Sequence, residues 1–74
     1  MKITVKLFAS LRIGRFSEEV HDYPEGLSVG DVLGALDIVE KGGLIMLRNG
    51  RRTTAGELLR EGDVLALLPP ISGG

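Results

Sequence analysis

Seventy-four residues limit the chain to one domain, since a chain this short buries only about 60% of the surface its unfolded form exposes. Nine basic and ten acidic residues give a net charge of −1, which argues against a general nucleic-acid binder, where a positive excess supplies most of the affinity. With no cysteine, disulfide staples, thiolate metal sites and a cysteine nucleophile are excluded.

A content of 43% hydrophobic and 26% charged residues reads as globular rather than disordered. The aromatics are only Phe8, Phe16 and Tyr23, so Leu, Ile and Val must fill the core. No apolar run reaches the roughly 18 residues of a transmembrane helix. Lysines interleave with apolar residues in MKITVKLFASLR, which suits a strand and not a signal peptide. These features lead us to expect a soluble, cytoplasmic protein with neither a membrane nor a nucleic-acid partner.

Residues Lys2 to Phe8 alternate, with Lys2, Thr4 and Lys6 on one side and Ile3, Val5 and Leu7 on the other. Period two with β-branched residues predicts a half-buried strand. Phe8 falls on the polar side, an anomaly. Ser10 to Phe16 reads as a loop, Ser17 to Asp22 as a short polar edge strand antiparallel to the first, and Tyr23-Pro24-Glu25-Gly26 as a turn. In LSVGDVLGAL, Ser28 and Asp31 form a loose capping box and Leu27 is placed to staple onto Val32. Val29, Val32, Leu33 and Leu36 then recur at helical spacing, with the helix ending near Asp37 or Ile38. Gly30 and Gly34 each cost a helix about 1 kcal/mol relative to alanine, and close approach to a sheet is the expected reason.

After Lys41-Gly42-Gly43, Leu44 to Arg48 predicts a third strand. Asn49-Gly50, a strong hairpin signal, returns the chain as a fourth over Arg51 to Thr53. Glu57 to Arg60 reads as one helical turn and Glu61-Gly62-Asp63 as a turn. Val64 to Leu68, apolar throughout, reads as a central strand buried on both faces. Pro69 and Pro70 end it. The order β-β-α-β-β-β is that of an α+β, β-grasp domain: a mixed four- to five-stranded sheet, the last strand parallel beside the first, and one main helix across one face. Residues 1–70 form this domain, and 71–74 are expected to be a flexible tail.

Most catalytic constellations are missing from the sequence. His21 has no cysteine or second histidine to join it and reads as a surface or edge-strand residue. The acids Glu18, Glu19, Asp22 and Glu25 read as a solvated face, and neither a P-loop nor G-x-G-x-x-G is present. Arg48, Arg51 and Arg52 read first as the solubilising charge of an exposed hairpin and second as an anion or partner site. The tail remains. A buried strand, a proline brake and then Ile71-Ser72-Gly73-Gly74 would project a carboxylate with nothing bulky around it. Glycine lets the backbone take whatever torsions a narrow channel in another protein requires. A terminal Gly-Gly is what a protein serving as a substrate would carry.

Three features resemble the ThiS/MoaD family of ubiquitin-like sulfur carriers: KLFASLR (Lys6 to Arg12), EGDVLALLPPISGG (Glu61 to Gly74), and the pattern of elements between. The ending DVLALLPPISGG is most similar to the MoaD branch, the small subunit of molybdopterin synthase. The resemblance implies that an ATP-dependent adenylyltransferase of the MoeB/ThiF kind activates the Gly74 carboxylate, which is then converted to a thiocarboxylate. The carrier would next dock its tail into the MoaE-like large subunit, or into thiazole synthase in the ThiS branch. It implies no bound cofactor or metal, ATP being used by the activating enzyme, and no catalytic group beyond the terminus. The short segment Ile38 to Gly43 is closer to the ThiS branch, so thiamin thiazole synthesis stays open beside molybdopterin synthesis. A protein modifier or an adaptor with an idle tail stays open as well.

Parallel first and last strands place Leu65 and Leu67 inward with Leu7, and Ala66 and Leu68 outward with Phe8. The expected docking residues are therefore Phe8, Ala66, Leu68, Pro69, Pro70 and Ile71, bordered by Arg12, with Ser72 and Gly73 as the arm carrying Gly74. The competing expectation is that the loop Ser10 to Phe16 covers Phe8. If Phe8 is open, Phe8→Ser should weaken partner binding with little loss of stability.

Overall fold

The computed structural model describes residues 1–39 and 42–70. Strand β1 (Lys2–Leu7) leads through a 3-10 turn (Ala9–Arg12) into β2 (Glu18–Asp22), then helix α1 (Val29–Ala35). The hairpin β3 (Ile45–Arg48) and β4 (Arg51–Arg52) follows, and β5 (Val64–Leu68) closes the sheet. The sheet order is β2-β1-β5-β3-β4, with β1 and β5 parallel and the other neighbours antiparallel. This is the β-grasp arrangement expected from the order of elements.

The core is aliphatic. Ile3, Val5 and Leu7 of β1, Leu65 and Leu67 of β5, and Met46 of β3 are buried together with Val29, Val32 and Leu33 of α1. The helix starts where local chemistry directs. The Ser28 hydroxyl accepts from the Asp31 N–H at 3.1 Å and the Ser28 N–H donates to the Asp31 carboxylate at 2.9 Å, a complete capping box. Those bonds hold the Asp31 carboxyl below its usual range.

Regular helix ends at Ala35, two or three residues short of expectation, in a Schellman cap. The Ile38 N–H bonds the Leu33 carbonyl at 2.9 Å and the Asp37 N–H the Gly34 carbonyl at 3.2 Å. Asp37 carries φ of 56° where glycine is usual. Arg15 completes the cap from the β1–β2 connection, donating to the carbonyls of Leu36 (3.0 Å), Asp37 (3.2 Å) and Leu11 (3.2 Å). The carbonyls that a helix end leaves without partners thus tie down a loop.

Three expectations are corrected. Residues 57–60 form no helical turn. Instead, the segment lies along the start of α1 in an antiparallel bridge, Ser28 to Leu58. Its Glu57 and Ala55 carbonyls accept from the Val29 and Gly30 N–H groups at 2.9 and 2.8 Å, satisfying two free donors of the first helical turn. The close approach that explains Gly30 is to this segment and not to the sheet: a Cβ there would stand 3.1 Å from the Ala55 carbonyl oxygen, whereas one at Gly34 would meet nothing within 4 Å. Finally, β5 is central but buried on one face only, alternating between half-buried and buried. A single seven-residue helix covers one side of the sheet, and no described element covers the other.

At the pole where β5 begins, a polar network replaces apolar packing. Asp63 is 7% exposed. Its carboxylate accepts from the Asn49 amide (2.9 Å), the Arg60 N–H (2.8 Å) and Arg48 Nη1 (3.5 Å), while Asn49 Oδ1 accepts from the Val64 N–H (2.8 Å). Burial alone would raise the Asp63 pKa. The bonds from Asn49 and Arg60, together with the Arg48 charge, outweigh burial and hold it below the usual carboxylate range.

Candidate functional site: the tail exit and the open sheet face

The uncovered face of the sheet is built by register. Lys6 lies between Glu18 of β2 and Ala66 of β5, and Ala66 lies in turn beside Leu47 of β3, which faces Arg52 of β4. In the next row up, Leu68 pairs with Ile45. One row below Lys6, Val20 and Thr4 pair, followed by Val64. Val64, Ala66, Leu68, Ile45 and Leu47 are half-buried, so they form an aliphatic strip down the two central strands. Phe8 remains 42% exposed and Val20 61%. The charged half of the face, on β1 and β2, is largely self-neutralised, with Lys2 Nζ 3.0 Å from the Asp22 carboxylate.

The strip leads to the point where the chain leaves the sheet. The Phe8 N–H donates to the Leu67 carbonyl at 3.1 Å, extending the β1–β5 ladder one residue past β1. Phe8 therefore stands beside the end of β5. The Ala9–Arg12 turn, with φ of 53° at Ala9, packs against that end, and Arg12 is exposed there with Nε 3.4 Å from the Ala9 carbonyl. Pro69 is half-buried and Pro70 exposed. On the opposite side, a Cβ on Gly43 (φ 90°) would stand 3.6 Å from Pro70 Cβ, so residues 42–43 flank the exit.

The structure brings Phe8, Arg12, Leu68, Pro69 and Pro70 to one end of the molecule, with Ala66 one row down the same face of β5. Phe8 is exposed, not covered by the loop. Ile71, Ser72, Gly73 and Gly74 lie outside the described residues. Sequence reasoning missed Ile45, Leu47 and Val64. The alternation in LIMLR held the signal for the first two, because Met46 must face the helix for the strand to reach the core. His21 sits on edge strand β2 with Nε2 2.9 Å from Glu19 Oε1, its ring 5.1 Å from that of Phe16 and stacked at 5.7 Å on Tyr23. Its described contacts are packing and one carboxylate.

An aliphatic strip that runs to the point where the chain leaves the sheet is a geometry for seating another protein beside that exit. A ThiS family model matches residues 5–74. The chain belongs to the ThiS family, the ubiquitin-like sulfur carriers of the ThiS/MoaD kind. Among solved structures it is similar to SAMP1 from Haloferax volcanii, with 32% identity, a TM-score of 0.76 and all of both chains covered. It is also similar to a protein from Pyrococcus furiosus described as a putative molybdopterin converting factor, subunit 1. There the identity is 29% and the TM-score 0.80, over 96% of this chain and 99% of that one. A complex of subunits 1 and 2 of the molybdopterin-converting factor from Helicobacter pylori shares the fold, at 21% identity and a TM-score of 0.68 over both full chains. No curated protein sequence matches significantly. As a member of this family, the chain reads as a ubiquitin-like sulfur carrier. No helix among the described residues is long and apolar enough to cross a membrane.

Proposed function

We propose that the protein carries sulfur on its C-terminal Gly74 and serves as the small subunit of molybdopterin synthase. The observation that supports this most is the junction of β5 with the open aliphatic strip, which would place any partner seated on the strip at the root of the tail. The chemistry is acyl activation. A Gly74 carboxylate oxygen attacks the α-phosphate of ATP on an adenylyltransferase, releasing pyrophosphate. Hydrosulfide attacking the acyl-adenylate carbon displaces AMP and leaves a thiocarboxylate directly. A persulfide donor instead displaces AMP to give an acyl disulfide, whose S–S bond a thiolate of the donor then cleaves, releasing the thiocarboxylate and forming a disulfide. On this reading the acid, base and metal are the activating enzyme's. The chain contributes an unhindered carbonyl and a surface that orients it. Likeness to the P. furiosus protein and the ending DVLALLPPISGG favour molybdopterin synthesis, with the MoaE-like large subunit as acceptor.

Two other readings each have an observation in their favour. The short segment between α1 and β3 favours a carrier for thiamin thiazole synthesis. Likeness to SAMP1, described as a small archaeal modifier protein, favours attachment of Gly74 to lysines. Intact-mass measurement after incubation with the cognate adenylyltransferase, ATP and a sulfur donor separates these possibilities. The expected product is heavier by the difference between sulfur and oxygen. A chain that stays unmodified overturns the carrier reading, and an adduct joining Gly74 to lysine favours the modifier. Transfer of that sulfur to a molybdopterin precursor on the large subunit, and not to the thiazole precursor, tests the pathway.

A further inference from the structure

The pole where β5 begins carries a polar cleft that plays no part in the proposed carrier chemistry. It encloses about 410 Å³ and is lined by Arg48, Asn49, Arg51, Arg52 and Glu57. The volume falls within the range of small-ligand sites, yet none of its lining residues is apolar. Three guanidinium groups face one carboxylate, so the lining is cationic in a chain whose net charge is −1.

Polar contacts tie the floor to the fold. Arg48 Nε lies 3.4 Å from Glu57 Oε1 and Nη1 lies 3.5 Å from Asp63 Oδ2. The Thr53 hydroxyl bonds the same Glu57 oxygen. A guanidinium has five N–H donors, so Arg48 is fixed by two and keeps others to offer. Asn49 is pinned at both ends of its amide, to Asp63 and to Val64. Arg51 and Arg52 are exposed, and neither pairs with a carboxylate among the described residues. The turn that aims them is specified by sequence: Asn49 and Gly50 take φ of 51° and 82°, the pair of left-handed residues of a tight hairpin.

From these features we infer that the hairpin cleft is an oxyanion site for a multiply charged phosphate group. Planar guanidinium forks match two oxygens at a time, which suits phosphate. With no aromatic or aliphatic wall, the cleft has no apolar slot to enclose a nucleobase, and its guanidinium donors are matched to the phosphate. Asn49 adjoins the start of β5, where its N–H bonds the Val64 carbonyl at 2.8 Å. Four strand steps separate Val64 at this pole from Leu68, roughly 13 Å. The site can therefore be filled while the tail end is engaged.

The test is titration of the full chain with sodium pyrophosphate, followed by amide and arginine Nε–H NMR shifts at constant ionic strength. Saturable shifts confined to residues 48–52 and Glu57 are expected. Arg51→Gln with Arg52→Gln should weaken binding at least fivefold, and Glu57→Gln, which removes the opposing charge but keeps a partner for Arg48, should tighten it by about threefold. ATP provides the second arm, and affinity equal to that of triphosphate is expected. Shifts that never saturate, or that spread equally to Lys2, Lys6 and Arg12, would overturn the proposal. ATP binding tenfold tighter than triphosphate would overturn the phosphate-only assignment. Neither result bears on Gly74, since the measurement involves no sulfur transfer.

Discussion

Replacing Phe8 by serine separates what this side chain does for the fold from what it does for a partner. A phenylalanine side chain offers about 200 Å². With 42% exposure, roughly 80 Å² remains in water in the free protein, and burying it in a complex is worth about 2 kcal/mol at ~25 cal/mol per Å². That corresponds to about a 30-fold change in Kd. The other three fifths are hidden against the protein's own fold, so folding loses up to about 3 kcal/mol as well, an upper bound because the unfolded chain is partly collapsed. The expectation of little stability loss, reasonable from the sequence, is thereby revised. Isothermal titration against the activating adenylyltransferase at 25 °C, on protein shown by circular dichroism to be folded, gives the first quantity, and thermal melting gives the second. Ile13→Ser is the control, since Ile13 is 76% exposed but lies in the loop, off the sheet face. Should Phe8→Ser lower Tm while Kd stays within threefold of the parent, Phe8 is a packing residue alone and the open strip is not the docking surface.

Asp63 should shape the acid limb of stability. Its folded pKa is depressed, so its contribution is present above the unfolded value near 3.9 and disappears as pH falls through the folded pKa. Urea midpoints from pH 7 to 2.5 should show this loss, and Asp63→Asn should remove it while costing about 2 kcal/mol at pH 7, because a buried charged acceptor is lost. Gly34→Ala should stabilise the helix by up to about 1 kcal/mol, there being no atom within 4 Å to oppose a methyl group. Gly30→Ala should instead destabilise, its Cβ being forced to 3.1 Å from the Ala55 carbonyl. Urea midpoints of the two variants moving in the same direction would refute this contrast. Removal of Gly73 and Gly74 should abolish ATP–pyrophosphate exchange by the activating enzyme and leave Tm unchanged.

Features written in near neighbours were legible in the sequence. Ser28 and Asp31 cap a helix because their bonds span three residues. Asn49-Gly50 turns a hairpin because only such residues accept two left-handed torsions in succession. The alternation from Lys2 to Leu7 reports which side of a strand meets the core. With the proline brake at the end of the last strand, these were enough for the β-grasp order. What depended on distant partners was hidden. VLALL is uniformly aliphatic, so its letters suggest two buried faces. Only its register against β1, under a single short helix, divides it into Leu65 and Leu67 inside and Ala66 and Leu68 outside. Arg15 gave no sign that it would cap α1 across 21 residues, and Asp63 read as a turn residue until Asn49, Arg60 and Arg48 were seen to converge on it. The sequence by itself determined the main strands, the helix and their order, through local torsion and periodicity, and pointed to the terminus as the group to test. The tertiary structure alone decided which apolar surface stays open beside that terminus, because one helix can cover only one face of a five-stranded sheet.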